Sequence, residues 1–219
     1  MSRKTSNKWI DRQIKDPFVK QRNHLSARSR AFFKLVEIND KQRFIKKGYK
    51  VIDMGAAPGG WSEAACEIIG PRGHILSIDS SDFKSLRNGT CLKIDCLDAC
   101  LEDEIKKVFV PGSVDVVMSD MAPNLSGIKA KDEAAWLRLV EVSLSTAELF
   151  LQKNGAFLVK FFQFRDTASA YNRIKSRFEI VQRLKPKSSR SQSAEFYILA
   201  KKKKVRIKGC WTEKSVNVK

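Results

Sequence analysis

Four ionisable side chains fall in or beside runs that are otherwise apolar. Lys160 interrupts Leu158-Val-Lys-Phe-Phe162, Asp120 closes Val114-Asp-Val-Val-Met-Ser-Asp120, Glu195 sits in Ser193-Ala-Glu-Phe-Tyr197, and Lys34 sits in Arg30-Ala-Phe-Phe-Lys-Leu-Val36. Burying a lysine is costly, so Lys160 reads as a strand-end or a functional residue. An amine that has lost its proton is a general base, and a carboxylate beside it can orient it. Lysines on helices are usually solvated, so Lys34 alone reads equally well as a surface charge. A second group surrounds Asp53-Met-Gly-Ala-Ala-Pro-Gly-Gly-Trp61-Ser62. Gly55, Gly59 and Gly60 let a chain turn tightly and approach a ligand closely. The spacing Gly-x-x-x-Gly-Gly departs from the Gly-x-Gly-x-x-Gly of a dinucleotide site. Asp79 follows Gly55 by 24 residues, where a carboxylate can accept hydrogen bonds from a ribose diol. Asp95 closes the next apolar run, near where an adenine amino group would lie. With Asp53, acids then end three successive strands, which suits a nucleoside without phosphates and a positive sulfonium.

Short apolar runs alternate with helical stretches. The patterns predict strands at 49–55, 74–80, 90–96, 114–120, 155–162, 178–184 and 194–200. They predict helices at 61–69, 98–107, 132–152 and 167–177, and another around Lys34. In the third of these helices Leu137, Val140, Leu144, Ala147 and Leu151 mark the expected core face. Such alternation implies parallel pairing with right-handed crossovers. Only the polar loop 185–193 joins the last two strands, so these are expected to pair antiparallel as a hairpin at one side of the sheet. Doubly wound sheets bind ligands beyond the carboxyl ends of their strands, near the point where strand order reverses.

Lysine and arginine outnumber acids to give a net charge of +18, and the excess is at the ends. Residues 1–35 carry ten bases and two acids, 201–219 carry eight and one, and the middle is nearly balanced. Basic arms attract phosphate through counterion release, so a nucleic-acid partner and steep salt dependence are expected. Arg165, Arg173, Arg183, Lys185, Lys187 and Arg190 extend this surface, with Trp9 and Phe18 as stacking candidates. The five cysteines (Cys66, Cys91, Cys96, Cys100, Cys210) and two histidines form no zinc pattern; reduced thiols, several of them buried in strands, are expected. No apolar run reaches the ~20 residues of a bilayer span. The N-terminus lacks a signal-peptide core, and Asp11 and Asp16 sit badly in a mitochondrial address.

Five segments carry a family resemblance: SRAFFKL at 29–35, DMGAAPGGWS at 53–62, SDMAPNLSG at 119–127, LVKFFQ at 158–163 and SAEFYILA at 193–200. Over residues 8–201 the chain resembles the FtsJ/RrmJ family of ribosomal RNA large-subunit ribose 2′-O-methyltransferases, the E family. The resemblance implies an α/β, Rossmann-like class I fold that uses S-adenosyl-L-methionine. Its sheet is doubly wound, mostly parallel and seven-stranded, with an antiparallel last strand. The resemblance places a Lys-Asp-Lys-Glu tetrad on Lys34, Asp120, Lys160 and Glu195. It places cofactor contacts on Gly59, Trp61, Asp79, Asp95 and Asp120, to which the glycine argument adds Gly55 and Gly60. No metal is implied. Lys160 is the expected base, with Asp120 orienting it and Lys34 and Glu195 holding the ribose. Burial, Lys34 and a sulfonium favour a neutral amine, and the two carboxylates oppose it.

The expected substrate is a uridine ribose of 23S ribosomal RNA in the large ribosomal subunit, met by a cytoplasmic monomer. The domain is expected at 31–201, between a basic arm (1–30) and a basic tail (202–219) outside the family core. Three readings compete. A nicotinamide oxidoreductase is disfavoured by the glycine spacing. A non-catalytic ribosome-assembly factor would not need the tetrad. A transfer-RNA or cap ribose methyltransferase would share it.

Overall fold

The computed structural model describes residues 26–83, 86–188 and 194–204. Over these residues the order is α1 (Ser26–Gln42), β1 (Lys50–Met54), α2 (Gly60–Ile69), β2 (His74–Asp79), β3 (Gly89–Lys93), α3 (Leu101–Lys106), β4 (Val114–Ser119), α4 (Lys129–Phe150), β5 (Leu151–Phe161), α5 (Thr167–Arg177), β6 (Phe178–Leu184) and β7 (Phe196–Lys203). The strands form one sheet in the order β3-β2-β1-β4-β5-β7-β6. All neighbours are parallel except β7, which runs against both β5 and β6.

The expected seven-stranded doubly wound sheet is therefore present, and β6 and β7 form the expected antiparallel pair. The pair lies at one side of the sheet, as expected. β7 inserts between β5 and β6 and leaves β6 at the edge. Regular structure reaches back to Ser26 and forward to Lys203, past residues 31 and 201.

Side chains alternate across the sheet with the two-residue period of a strand. Val51, Ile75, Val116 and Leu158 pack on one face with Leu35 and Val36 of α1 and Ala64, Ala65 and Ile69 of α2. Ile52, Leu76, Val117 and Phe157 pack on the other with Ile105, Val140, Ala147 and Phe150. Coverage on both faces explains why these strands read as nearly continuous apolar runs.

Several element details differ from the sequence expectation. α4 starts a turn early and stops at Phe150, because Leu151 already pairs with Val114 across a bulge. Its buried face is Trp136, Val140, Ser143, Leu144, Ala147 and Phe150, whereas Leu137 is only partly buried and Leu151 belongs to β5. Trp136, not among the residues expected on that face, anchors it edge-on to Phe161 at 5.1 Å. α3 is shorter than the predicted 98–107, and Asp98 lies in the turn before it. Among the described cysteines, Cys91 on β3 is exposed and Cys96, beyond that strand's end, is the buried one. Among the described residues, no helix is long and apolar enough to cross a membrane.

Candidate active site

Register brings the site together. Ser119 at the end of β4 pairs with Val159 of β5, so Asp120 emerges beside Lys160. In the antiparallel pair, Lys160 lies directly opposite Tyr197 of β7. Directly opposite residues share a face, so both side chains rise on the same side of the sheet. That side is covered by α1, whose Phe32, Leu35 and Val36 pack in the same cluster as Leu158 and Tyr197. Glu195 precedes Tyr197 by two residues, and Lys34 comes down from α1.

The five groups make one continuous hydrogen-bonded line. Glu195 Oε1 accepts from Lys34 Nζ at 2.5 Å, and Lys34 Nζ also reaches the Tyr197 hydroxyl at 3.4 Å. That hydroxyl donates to Asp120 Oδ1 at 2.8 Å. Lys160 Nζ lies 2.8 Å from the same Oδ1 and donates to the Asp120 backbone carbonyl at 2.9 Å. Lys34 and Lys160 are only 7% and 8% exposed, and each meets a carboxylate, as a buried cation requires. Burial, with the charges of Asp120 and Glu195, drives the Tyr197 hydroxyl far above its ordinary range. It therefore keeps its proton, and one hydroxyl can donate to Asp120 while accepting from Lys34. Two of the three tetrahedral corners on Lys160 Nζ are used on Asp120, which leaves one.

A cavity of about 680 Å³ opens at the carboxyl ends of β1 to β4, across the β1–β4 switch point. Gly55, Asp79, Asp95 and Asp120 line it, together with Ala57, Asn124 and Arg138 among others. Gly55 has φ +78°, and a Cβ there would lie 2.4 Å from Met121 Cγ, so this position requires glycine. Gly59 (φ 98°) caps α2, and Gly60 and Trp61 form the first turn of that helix. Trp61 is buried, is not among the residues that line the cavity, and packs against Tyr197, ring centroids 5.5 Å apart. Asp79 accepts the amides of Ala57 and Ser81 at 2.9 and 2.8 Å, and Asp95 that of Leu97 at 2.9 Å. Each carboxylate retains lone pairs for a ligand.

Asp53 does not join the other two acids. It is fully buried and accepts from the Ser62 hydroxyl at 2.5 Å. Burial pushes its carboxyl up to about 7, against the Ser62 hydrogen bond and with help from the charges of Asp120 and Asp79. Asp53 Oδ1 and Trp61 Nε1, on either side of the glycine turn, are buried with no hydrogen-bond partner among the described residues. A cavity of this size, a turn that excludes side chains and acceptors at two strand ends fit a nucleoside with a short tail.

Tyr197 was absent from the candidate residues. Its signal was the two-residue period from Glu195, hidden because tyrosine in an apolar strand reads as core. Of the expected basic face, Arg165 is exposed, Arg173 pairs with Glu141, and Arg183 lies over the Phe196 ring at 3.7 Å from its centroid. Arg190, Trp9, Phe18 and Cys210 lie outside the described residues.

Comparison with known proteins identifies the family. A family described as FtsJ-like methyltransferase matches residues 27–203. The chain is 40% identical over 199 residues to the ribosomal RNA large subunit methyltransferase E of Rhodopseudomonas palustris, covering 90% of this chain and 84% of that one. It is likewise 40% identical over 199 residues to the protein of the same name from Coxiella burnetii, covering 89% and 94%. The crystal structure of a Plasmodium falciparum protein assigned as a ribosomal RNA methyltransferase superposes with a TM-score of 0.69 at 25% identity, over 80% of this chain and 98% of that one.

Proposed function

The chain belongs to the FtsJ-like methyltransferase family, and on that premise we propose that it methylates the 2′-hydroxyl of a uridine ribose in 23S ribosomal RNA of the large ribosomal subunit, with S-adenosyl-L-methionine as methyl donor. One observation carries this reading: the line Glu195–Lys34–Tyr197–Asp120–Lys160, joined through Asp120 to a nucleoside-sized cavity. The names of the curated relatives support the choice of ribosomal RNA.

S-adenosyl-L-methionine, when bound, supplies the methyl group for attack by the ribose oxygen. Asp79 would hold its ribose diol and Asp95 its adenine edge, with Gly55, Gly59, Gly60 and Trp61 shaping the turn around it. Asp120 borders both the cavity and the lysine. Transfer needs alignment and removal of one proton. The proton leaves the 2′-hydroxyl for the amine of Lys160. Two bonds to Asp120 hold Nζ in place, and in the neutral amine the lone pair occupies the remaining position, ready to take that proton. Lys34, held by Glu195 and Tyr197, supplies a fixed cation beside the ribose.

The test is transfer of labelled methyl to large ribosomal subunits from cells lacking this protein, with transfer RNA and capped RNA in parallel. A 2′-O-methyl group blocks alkaline cleavage at its own phosphodiester, so hydrolysis maps the product. Label that enters only transfer RNA or capped RNA, or that sits on a base, refutes the assignment.

A further inference from the structure

Among the described residues five large apolar side chains stand exposed: Leu97, Val110, Leu125, Ile128 and Ile180. Three belong to segments that form the cavity. Leu97 lines it, Leu125 follows the lining residue Asn124, and Ile128 caps α4, whose Ala135, Arg138 and Leu139 line it. Isolated exposed leucines are ordinary, so exposure alone decides nothing. The construction of this loop does. The Asp132 carboxylate accepts the amide and hydroxyl of Ser126, both at 2.7 Å, and the amide of Gly127 at 3.1 Å. The Asp132 amide donates to the Ile128 carbonyl at 2.9 Å, and Gly127 sits at φ +82°. The polar backbone is thus turned inward and braced, and Leu125 and Ile128 are left 67% and 62% exposed. Lys129 and Lys131, both exposed, follow in the first turn of α4. The helix dipole disfavours cations at that end, so their placement helps the fold little and suits an anion.

We infer that Leu125 and Ile128 form a rigid apolar wedge that supports an unstacked base of the RNA beside the target ribose, with Lys129 and Lys131 on the flanking phosphates. The inference rests on the RNA reading above. Lys160 is only 8% exposed, and a nucleotide drawn out of its stack brings its 2′-oxygen to so recessed an amine more directly than a stacked one. Apolar side chains commonly replace the lost stacking surface, and lysines alongside neutralise backbone charge. A leucine–isoleucine pair reads no base edge, so the contact is indifferent to the identity of the base it supports.

The experiment compares Leu125→Ala/Ile128→Ala with Lys129→Gln/Lys131→Gln, using methylation of unmodified ribosomal subunits. The apolar pair should lower kcat at least tenfold at saturating subunits, with cofactor affinity by calorimetry within about twofold of wild type. Leu125→Met/Ile128→Leu should restore the rate, which a collapsed loop would not allow. The lysine pair should raise KM and reduce the salt slope of binding by about two, leaving kcat unchanged. Wild-type kcat in the alanine pair, or failure of the methionine–leucine pair to rescue, overturns the wedge. A wild-type protein that methylates no RNA overturns the underlying reading instead, and the wedge with it.

Discussion

Replacing Tyr197 with Phe removes one oxygen from the centre of the site and leaves every charge with a partner. Lys160 keeps Asp120, and Lys34 keeps Glu195 at 2.5 Å. The ring stays, so packing on Trp61 is retained. Two contacts are lost, and they differ in weight. The 2.8 Å bond to Asp120 is short and charge-assisted, worth about 1.5–3 kcal/mol. The 3.4 Å contact from Lys34 is near the limit of a hydrogen bond and adds little. The expected loss of stability is therefore about 2 kcal/mol. For a chain of this size that lowers Tm by roughly 4–8 °C.

Activity should fall as well, because the hydroxyl is what couples the two ion pairs. Uncoupled, Lys34 and Lys160 no longer hold a fixed separation, and a rate loss of about 10- to 100-fold is expected, or roughly 1.4–2.7 kcal/mol of barrier. The pH profile of kcat should keep its shape, since a hydroxyl raised so far titrates at no working pH. Differential scanning calorimetry and single-turnover methyl transfer across pH 6–10 measure both. An unchanged Tm with an unchanged rate would mean that the hydroxyl links nothing. Loss of the rise in rate with increasing pH would mean that Tyr197, not Lys160, takes the proton.

Three further substitutions probe the rest of the site. Lys160→Ala should lower transfer by at least ~10²–10⁴-fold yet keep cofactor affinity within a few-fold, since Lys160 joins the cavity only through Asp120; near-normal turnover would dismiss it as the base. Gly55→Ala should lose cofactor affinity and about 1–3 kcal/mol of stability, because φ +78° is strained and the new methyl drives Met121 toward the cavity; calorimetry with the cofactor reads both. Asp53→Asn tests the buried acid through pH. A carboxyl raised from 3.8 to about 7 penalises the folded state increasingly as pH climbs between those values, by up to about 4 kcal/mol above pH 7. The variant should gain on wild type from pH 5 to pH 8 in chemical denaturation, and a pH-independent difference would show that Asp53 stays charged.

What the sequence made legible follows from where its signals are local. The glycine turn, the acids at strand ends and the α/β alternation each show within a dozen residues, and each appears at its expected place apart from Asp53. Asp53 failed because a strand-end acid can turn toward the helix it precedes, and the Ser62 hydroxyl that receives it is visible only in three dimensions. The insertion of β7 between β5 and β6 was equally hidden. Loop length requires antiparallel pairing of β6 and β7 but is silent on which one also pairs with β5. Tyr197 depended on that choice. With β6 beside β5, no tyrosine would lie opposite Lys160.

The convergence of four distant charges rests on register, and register needs anchoring at both ends of the sheet's antiparallel corner. A slip of one residue would send Lys160 and Tyr197 to opposite faces. Alternating Ile198 and Leu199 into the two cores fixes β7 laterally, since either would otherwise meet the wrong helix layer. The segment that leaves β6 is tied separately. Glu37, one turn beyond Lys34 on α1, accepts the amides of Lys187 and Ser188 at 3.0 and 3.1 Å and the Ser188 hydroxyl at 3.1 Å. Burial would raise this carboxyl, but those amides and Lys41 outweigh it and hold it below its ordinary value. The tie therefore contributes most above the usual carboxylate range and loosens as pH falls through the lowered value. The helix that carries Lys34 thus grips the chain at two places, at Lys187 and Ser188 just after β6 and at Glu195 just before β7, the second through a 2.5 Å ion pair.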